Sequence, residues 1–384
     1  MLSSTKLAWL QLRQQSVRLL VAISGVAFAV ILIFMQLGFQ DALFQSAVTV
    51  HSRLKADIVL ISPSAPYLVS MAPFPRRRLY QAAAFPGVED VMPIYALIGP
   101  WRNHVNGKTR GIFVIGFDPS DDALAIEGVE NHREQIRYPD RVLFDSAARP
   151  EYGPVAEFVG AGEPVETELN RRGVEVVGNF QLGTSFGVDG TVITSDLNFF
   201  RIFPQVKPSM LTMGLIRLEA GADAEEVRAA IDAELPEDVV VLTKEQYLQQ
   251  EINYWATATP IGYVFTFGTI MGLVVGAIIV YQILFADISD HLAEYATLKA
   301  VGYSSRFLMR VVLMEALILA ITGYIPGILI SWQLYRLTAS ATLLPMQVTP
   351  YIASVVFGLT VAMCWISALI AVRKVRTADP AEIF

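Results

Sequence analysis

Residues 19–39 read LLVAISGVAFAVILIFMQLGF, an unbroken apolar run without a charged side chain. A helix rises about 1.5 Å per residue and a bilayer core is about 30 Å thick, so about 20 such residues suffice to cross it. Three further stretches meet the same requirement. Residues 252–286 are free of charge, with the span read at 261–286; residues 308–335 are broken only near their start, by Arg310 and Glu315; residues 351–372 follow Pro345 and Pro350. Hydrocarbon offers no water to an open backbone, so each stretch must be a helix. The order is one span, then residues 40–256, then three spans. Ala27-Phe28-Ala29 resembles a signal-peptidase site behind Lys6, Arg13 and Arg18, yet the apolar run continues to Phe39, as a retained anchor does.

Composition agrees with a chain made of two materials. Of 384 residues 53% are hydrophobic and only 17% charged, against about a quarter charged in ordinary soluble domains. Residues 40–255 hold 19 Lys/Arg and 30 Asp/Glu, a net of −11, while the remainder holds 10 and 6, a net of +4; together these give the −7 of the whole chain. No large basic segment exists, which argues against nucleic acid. One cysteine, Cys364, excludes an intramolecular disulfide.

Short-loop cations set orientation because Lys and Arg resist translocation. Lys6, Arg13 and Arg18 precede the first span; Lys299, Arg306 and Arg310 lie between or at the edges of the second and third; Arg373, Lys374 and Arg376 follow the fourth. Only Arg336 falls in the short opposite loop, 336–350. Both termini and residues 287–307 are therefore expected in the cytosol and residues 40–256 outside it. Residues 1–18 form either an amphipathic helix along the inner surface, with Leu7, Trp9 and Leu10 beside Lys6 and Arg13, or a simple extension of the span. Residues 373–384 form a cytosolic tail.

Residues 40–256 read as mixed α/β. Apolar or alternating runs at 56–61, 111–117, 174–180, 191–194 and 239–242 predict strands, and residues 222–235 and 244–254 predict helices. The Pro-rich stretch 62–75 predicts an irregular loop.

Chemical motifs fail one after another. Gly178 to Ser185 approaches a phosphate-binding loop, but Thr184 stands where the lysine is required. Gly183-Thr184-Ser185-Phe186-Gly187 matches the nucleophile-elbow pattern, yet further glycines and a β-rich run follow where a helix is needed, so a tight turn is expected. His51, His104, His132 and His291 are scattered, and no metal site is predicted. Arg76-Arg77-Arg78 reads as a solvated helix start. Glu315 is another matter, since a carboxylate at a span centre costs about 2.5–3.5 kcal/mol. It either pairs with Lys299, Arg306 or Arg310 or serves substrate passage. Gly268, Gly272 and Gly276 on the second span, and Gly323 and Gly327 on the third, form small-residue stripes for close helix packing, a dimer seam being one version.

The most telling segment is Asp287 to Ser305, DISDHLAEYATLKAVGYSS. Ile288, Leu292, Tyr295 and Leu298 fall on one helical face, and Gly302 is a natural C-cap, so a short amphipathic helix is expected between the second and third spans. Such a helix invites a docking partner. Glu294-Tyr-Ala-Thr-Leu298-Lys299-Ala300-Val-Gly302, followed by Glu315 and by the basic, Pro-containing Arg376 to Glu382, resembles the MacB/FtsX superfamily of ABC transporter permeases. Phe34 to Phe44, Ala56 to Ser62 and Leu182 to Gly187 are similar to its DevC branch.

The resemblance implies an α-helical membrane protein with four transmembrane helices and a mixed α/β periplasmic domain inserted between the first and second, in the bacterial inner membrane. It implies a homodimer, a separate cytosolic DevA-like ATPase that supplies ATP and magnesium chemistry, a periplasmic DevB-like membrane-fusion adaptor and a TolC-like outer-membrane duct. The longer MacB chain carries a fused ATPase that this sequence lacks, so no catalytic residue and no directly bound cofactor is expected here. Glu294, Tyr295, Leu298, Lys299, Ala300 and Gly302 are the expected ATPase-coupling residues. Export of a lipid, glycolipid or other hydrophobic molecule is the leading expectation. An FtsX-like transmitter controlling an envelope hydrolase is the second, and a membrane-anchored ectoenzyme the third.

Overall fold

The computed structural model describes residues 16–70 and 72–377. The amphipathic segment expected before the first span and the end of the basic tail lie outside these residues. The chain divides into a helical unit, up to Ala42 and from Pro260 onward, and an α/β unit, Leu43–Thr259. These limits fall three residues later at each end than the sequence suggested.

Four helices, Ser16–Ala47, Pro260–Asp290, Ser305–Thr342 and Pro350–Thr377, are each long and apolar enough to cross a membrane. Each outruns its apolar stretch. The first continues past Phe39 because neither Gly nor Pro interrupts residues 40–47, and the fourth begins on Pro350, whose missing N–H costs nothing at the first helical position. Small and β-branched residues face inward: Ala22, Val26, Ala29 and Ile33 pack with Val280 and Leu284, Val312 and Ala316, and Cys364 and Ala368. Large apolar side chains such as Phe267, Ile270, Ile325, Leu329 and Ile366 remain exposed. That outward apolar surface is what lipid, not water, covers.

The glycine stripes locate the first span. A Cβ on Gly323 would fall 2.6 Å from Val26 Cγ1 and 3.3 Å from Ile23 O, and one on Gly327 would fall 2.6 Å from Val30 Cγ1 and 3.3 Å from Ala27 O. On the second span, Gly272 lies against Ile33, Gly276 against Ala29 and Met363, and Gly268 against the Gln36 side chain. Both stripes thus pack mainly on the first span of the same chain.

The α/β unit is built on a nine-stranded mixed sheet. Its strands are β1 Ile58–Ile61, β3 Val88–Arg102, β4 Thr109–Phe117, β5 Arg141–Asp145, β6 Val165–Leu169, β7 Arg172–Phe180, β8 Thr191–Ser195, β10 Met213–Leu218 and β11 Val240–Thr243, in the order β11-β1-β10-β3-β4-β8-β5-β7-β6. A two-residue ribbon joins β2 Phe74–Pro75 to β9 Met210–Leu211. Most pairs are antiparallel; β4–β8 and β5–β7 are parallel. Strand residues alternate between faces, so Tyr95, Ile112 and Val114 enter a core under the helices Arg77–Ala82, Asp196–Ile202 and Ala224–Glu234, while Ile94, Phe113 and Ile115 enter a second core with Leu124, Ile136 and Tyr247.

Caps set the helix starts. Asp223 accepts from the Glu225 and Glu226 N–H groups, and Thr243 with Gln246 forms a capping box. The helix expected from residue 222 therefore begins at Ala224.

Candidate functional site

The second span ends at Asp290, and His291 turns the chain into the connecting helix Leu292–Ala300. At its far end the Tyr303 N–H donates to Leu298 O (3.0 Å) and the Gly302 N–H to Lys299 O (3.1 Å), with Gly302 at φ +102°. This double bond pattern is a Schellman stop, which needs the left-handed residue that glycine supplies. Ser304 then caps the third span by accepting from the Phe307 N–H. Glu294 sits in the first turn and Lys299 in the last, each favoured by the helix dipole.

The two faces of this helix differ. Tyr295 is 2% exposed and Ala296 5%, and both face the helical bundle. Tyr295, with Lys299, Ser305, Leu308, Val312 and Val372, encloses a void of about 10 Å³, room for about one water. The buried ring of Tyr295 thus sits against the third span and the end of the fourth. Ala293, Glu294, Thr297, Ala300, Val301 and Gly302 are exposed, and Leu298 and Lys299 are partly buried. Tyr295, expected among the ATPase-coupling residues, lies on the side of the helix turned to the bundle. It shares the apolar face of Leu292 and Leu298, and that face is turned to the bundle. The bare face carries Ala293, Thr297 and Val301, which the motif did not single out; their spacing from Glu294 and Ala300 was the available signal.

Glu315 is fully buried on the third span, and neither carboxylate oxygen has a hydrogen-bond partner among the described residues. Pairing with Lys299, Arg306 or Arg310 does not form, because Arg306 and Arg310 point to the exposed side and Lys299 lines the small void. Polar contacts nearer the loop join Arg18 to Asp290 at 2.5 Å, and His291 Nδ1 to the Asp287 carbonyl at 3.0 Å.

The segments that suggested the DevC branch have physical reasons. Phe34 is buried against Tyr324 and Tyr335, and the Tyr335 hydroxyl donates to Phe34 O; Gly38 leaves room for that ring. Residues 182–187 form the tight turn expected between β7 and β8, closed by the Ser185–Val188 bridge, with Gly183 and Gly187 at positive φ. The buried Asp145 carboxylate accepts from the Leu182 and Gly183 N–H groups, 3.0 Å each. Burial pushes its carboxyl up while these donors oppose the shift. Phe186 packs edge-on against Trp255 at 4.5 Å, and Glu251 binds the Trp255 Nε1–H and the Leu68 N–H. Sequence reasoning passed over Asp145 and Glu251, whose partners Leu182, Gly183 and Leu68 lie far away in the chain. Arg77–Ala82 is a helix start as expected, but Arg78 is buried and held bidentately by Asp238. His51 meets Glu251, His104 meets Phe158, and His132 binds the Gly128 carbonyl.

The profile of the MacB-like periplasmic core domain matches residues 19–234, more than half of the chain, and that of the FtsX-like permease C-terminal region matches residues 266–380, which include the connecting helix. The chain belongs to the MacB/FtsX superfamily of permeases. As such it is an ABC transporter permease with four apolar helices and a mixed α/β domain of periplasmic type between the first and second. Members of this superfamily work with ABC ATPases. Solved structures similar to it include the periplasmic region of MacB from Actinobacillus actinomycetemcomitans, at 9% identity and a TM-score of 0.35, covering 52% of this chain and 93% of that one. The extracellular domain of the noncanonic ABC-type transporter YknZ from Gram-positive bacteria matches at 13% identity and a TM-score of 0.33, covering 48% and 99%. No curated protein matches the chain significantly.

Proposed function

We propose that this permease is the membrane subunit of a DevC-type exporter. A separate DevA-like ATPase, charged with ATP and magnesium, docks on the connecting helix of each protomer of a homodimer, and the helix passes its motion to the third and fourth spans. The periplasmic domains then move a lipid, glycolipid or other hydrophobic molecule toward a DevB-like adaptor and a TolC-like duct across the envelope from the inner membrane. One observation carries this reading: the connecting helix has one face keyed into the bundle by Tyr295 and an opposite, exposed face on which the small residues Ala293, Thr297 and Ala300 lie beside Glu294. Small residues let a partner's groove close around a helix, and the buried ring gives that partner something to push.

The test separates docking from transmission. Thr297→Trp and Ala300→Asp, both on the bare face, should abolish co-purification of the ATPase in mild detergent while the permease stays inserted. Tyr295→Ala should retain the ATPase and lose the stimulation of its hydrolysis. Leu298→Asp is a poorer probe because Leu298 is partly buried. Unchanged co-purification and hydrolysis in both bare-face variants would overturn the proposal.

A further inference from the structure

The segment 203–209 links the helix Asp196–Ile202 to β9, and beside it lies a cleft of about 250 Å³ on the helix-covered side of the sheet. Tyr95 and Leu97 of β3, neighbours on one strand face, form one side; Phe199, Val206, Met210 and Leu211 complete the apolar wall. Of the polar side chains that line it, Gln205 and Lys207 are exposed and so mark its mouth, while the buried Thr212 hydroxyl is taken up by the β3 backbone at Ile94 and Ala96. None of its lining residues is acidic.

Three physical features point to an occupant. The volume is below the about 300–1,000 Å³ of sites that hold a whole small molecule, which suits one hydrocarbon chain better than a complete lipid. The wall is apolar, so water inside it gives up hydrogen bonds that a hydrocarbon does not need. The single ammonium at the mouth supplies one positive charge on a flexible stem, the complement of one acidic group. The Tyr95 hydroxyl, buried at the inner side, has no partner among the described residues, and burial pushes its phenol up to about 12, so it stays a donor at neutral pH.

We propose that this cleft seats the hydrocarbon end of an anionic single-chain amphiphile, with Lys207 against its acidic group. As a station for exported cargo the site rests on the export reading above; as a binding site it stands without it.

The test uses the full chain in phosphatidylcholine nanodiscs, without ATPase, and a palmitate carrying a mid-chain diazirine. Photolabel is expected on peptides containing Leu97, Val206 or Met210, displaced by unlabelled palmitate. Lys207→Glu, a change at an exposed position, should weaken that labelling about tenfold, the scale of one charge-assisted contact. Leu97→Trp should fill the cleft and remove the label. A diazirine hexadecanol, which has no carboxylate, should label more weakly and be indifferent to Lys207→Glu. Label confined to the spans, cleft label insensitive to both substitutions, or crosslinks joining the cleft to a second copy of the chain would each overturn the proposal. If the cleft labels as expected but ATP drives no lipid movement by the permease reconstituted with its ATPase, the export reading fails and the site stands.

Discussion

Asp121 illustrates how a single residue carries a cost that the fold absorbs. Its carboxyl is pushed up to about 6, chiefly by burial and further by the nearby Asp118, Asp90 and Asp196. In the unfolded chain an aspartate titrates near about 3.9. Between these values the folded state holds the proton and the unfolded state releases it, so the stability contributed by protonated Asp121 is lost as pH rises from about 4 to about 6. The loss is on the order of 2 kcal/mol at neutral pH. Asp121→Asn should therefore raise the thermal midpoint of the full-length protein's periplasmic transition at pH 7 and leave it nearly unchanged at pH 4; equal effects at both pH values would refute the assignment. Such interactions were not legible in the sequence, where residues 90, 118, 121 and 196 are separate acids in an acidic region. Only folding brings Asp90 and Asp196 to the Asp118–Asp121 turn. The same holds for Glu315, whose place in a span was plain but whose lack of a cationic partner among the described residues was not.

Among elements, the four spans were legible because hydrocarbon imposes length and composition on any helix that crosses it. β3 was not. Its 15 residues contain Pro93, Gly99 and Pro100, which read as breakers, yet Pro93 pairs opposite Gly214 and Pro100 opposite Gly111 in continuous antiparallel ladders. The glycine stripes were legible as packing surfaces, while the identity of their partner was not: a dimer seam and an internal contact need the same small residues. Their contact with the first span makes a prediction at this scale. Gly323→Ala and Gly327→Ala place a methyl against Val26 and Val30 and near the backbone oxygens of Ile23 and Ala27, and overpacking of this kind costs about 1–3 kcal/mol. A Cβ at Gly358 on the fourth span meets nothing within 4 Å, so Gly358→Ala should be neutral or slightly stabilising, alanine being the better helix former. Thermal unfolding in mild detergent ranks the three variants. Equal midpoints for Gly358→Ala and Gly327→Ala would show that the second stripe does not grip the first span.

For the whole molecule, the division into an acidic α/β unit and a lipid-facing helical unit follows from the uneven charge that the sequence already displays. Orientation is the consequence with the most weight, because docking by a cytosolic ATPase requires the connecting helix to lie inside. Lys299, Arg306 and Arg310 around that helix, with Lys6, Arg13 and Arg18 and the cations after the fourth span, all favour the cytosolic side, since basic short loops are held back from translocation. Cys364 is fully buried and is best replaced by alanine to leave a background without thiols. In that background Thr297→Cys, on the bare face of the connecting helix, should react with a membrane-impermeant maleimide only after the inner membrane is opened. Val105→Cys, at a position 66% exposed in the α/β unit, should react in intact spheroplasts. The reverse pattern would place the acidic domain in the cytosol and the connecting helix outside, where no nucleotide-driven subunit can reach it, and both the orientation and the docking surface would fall together.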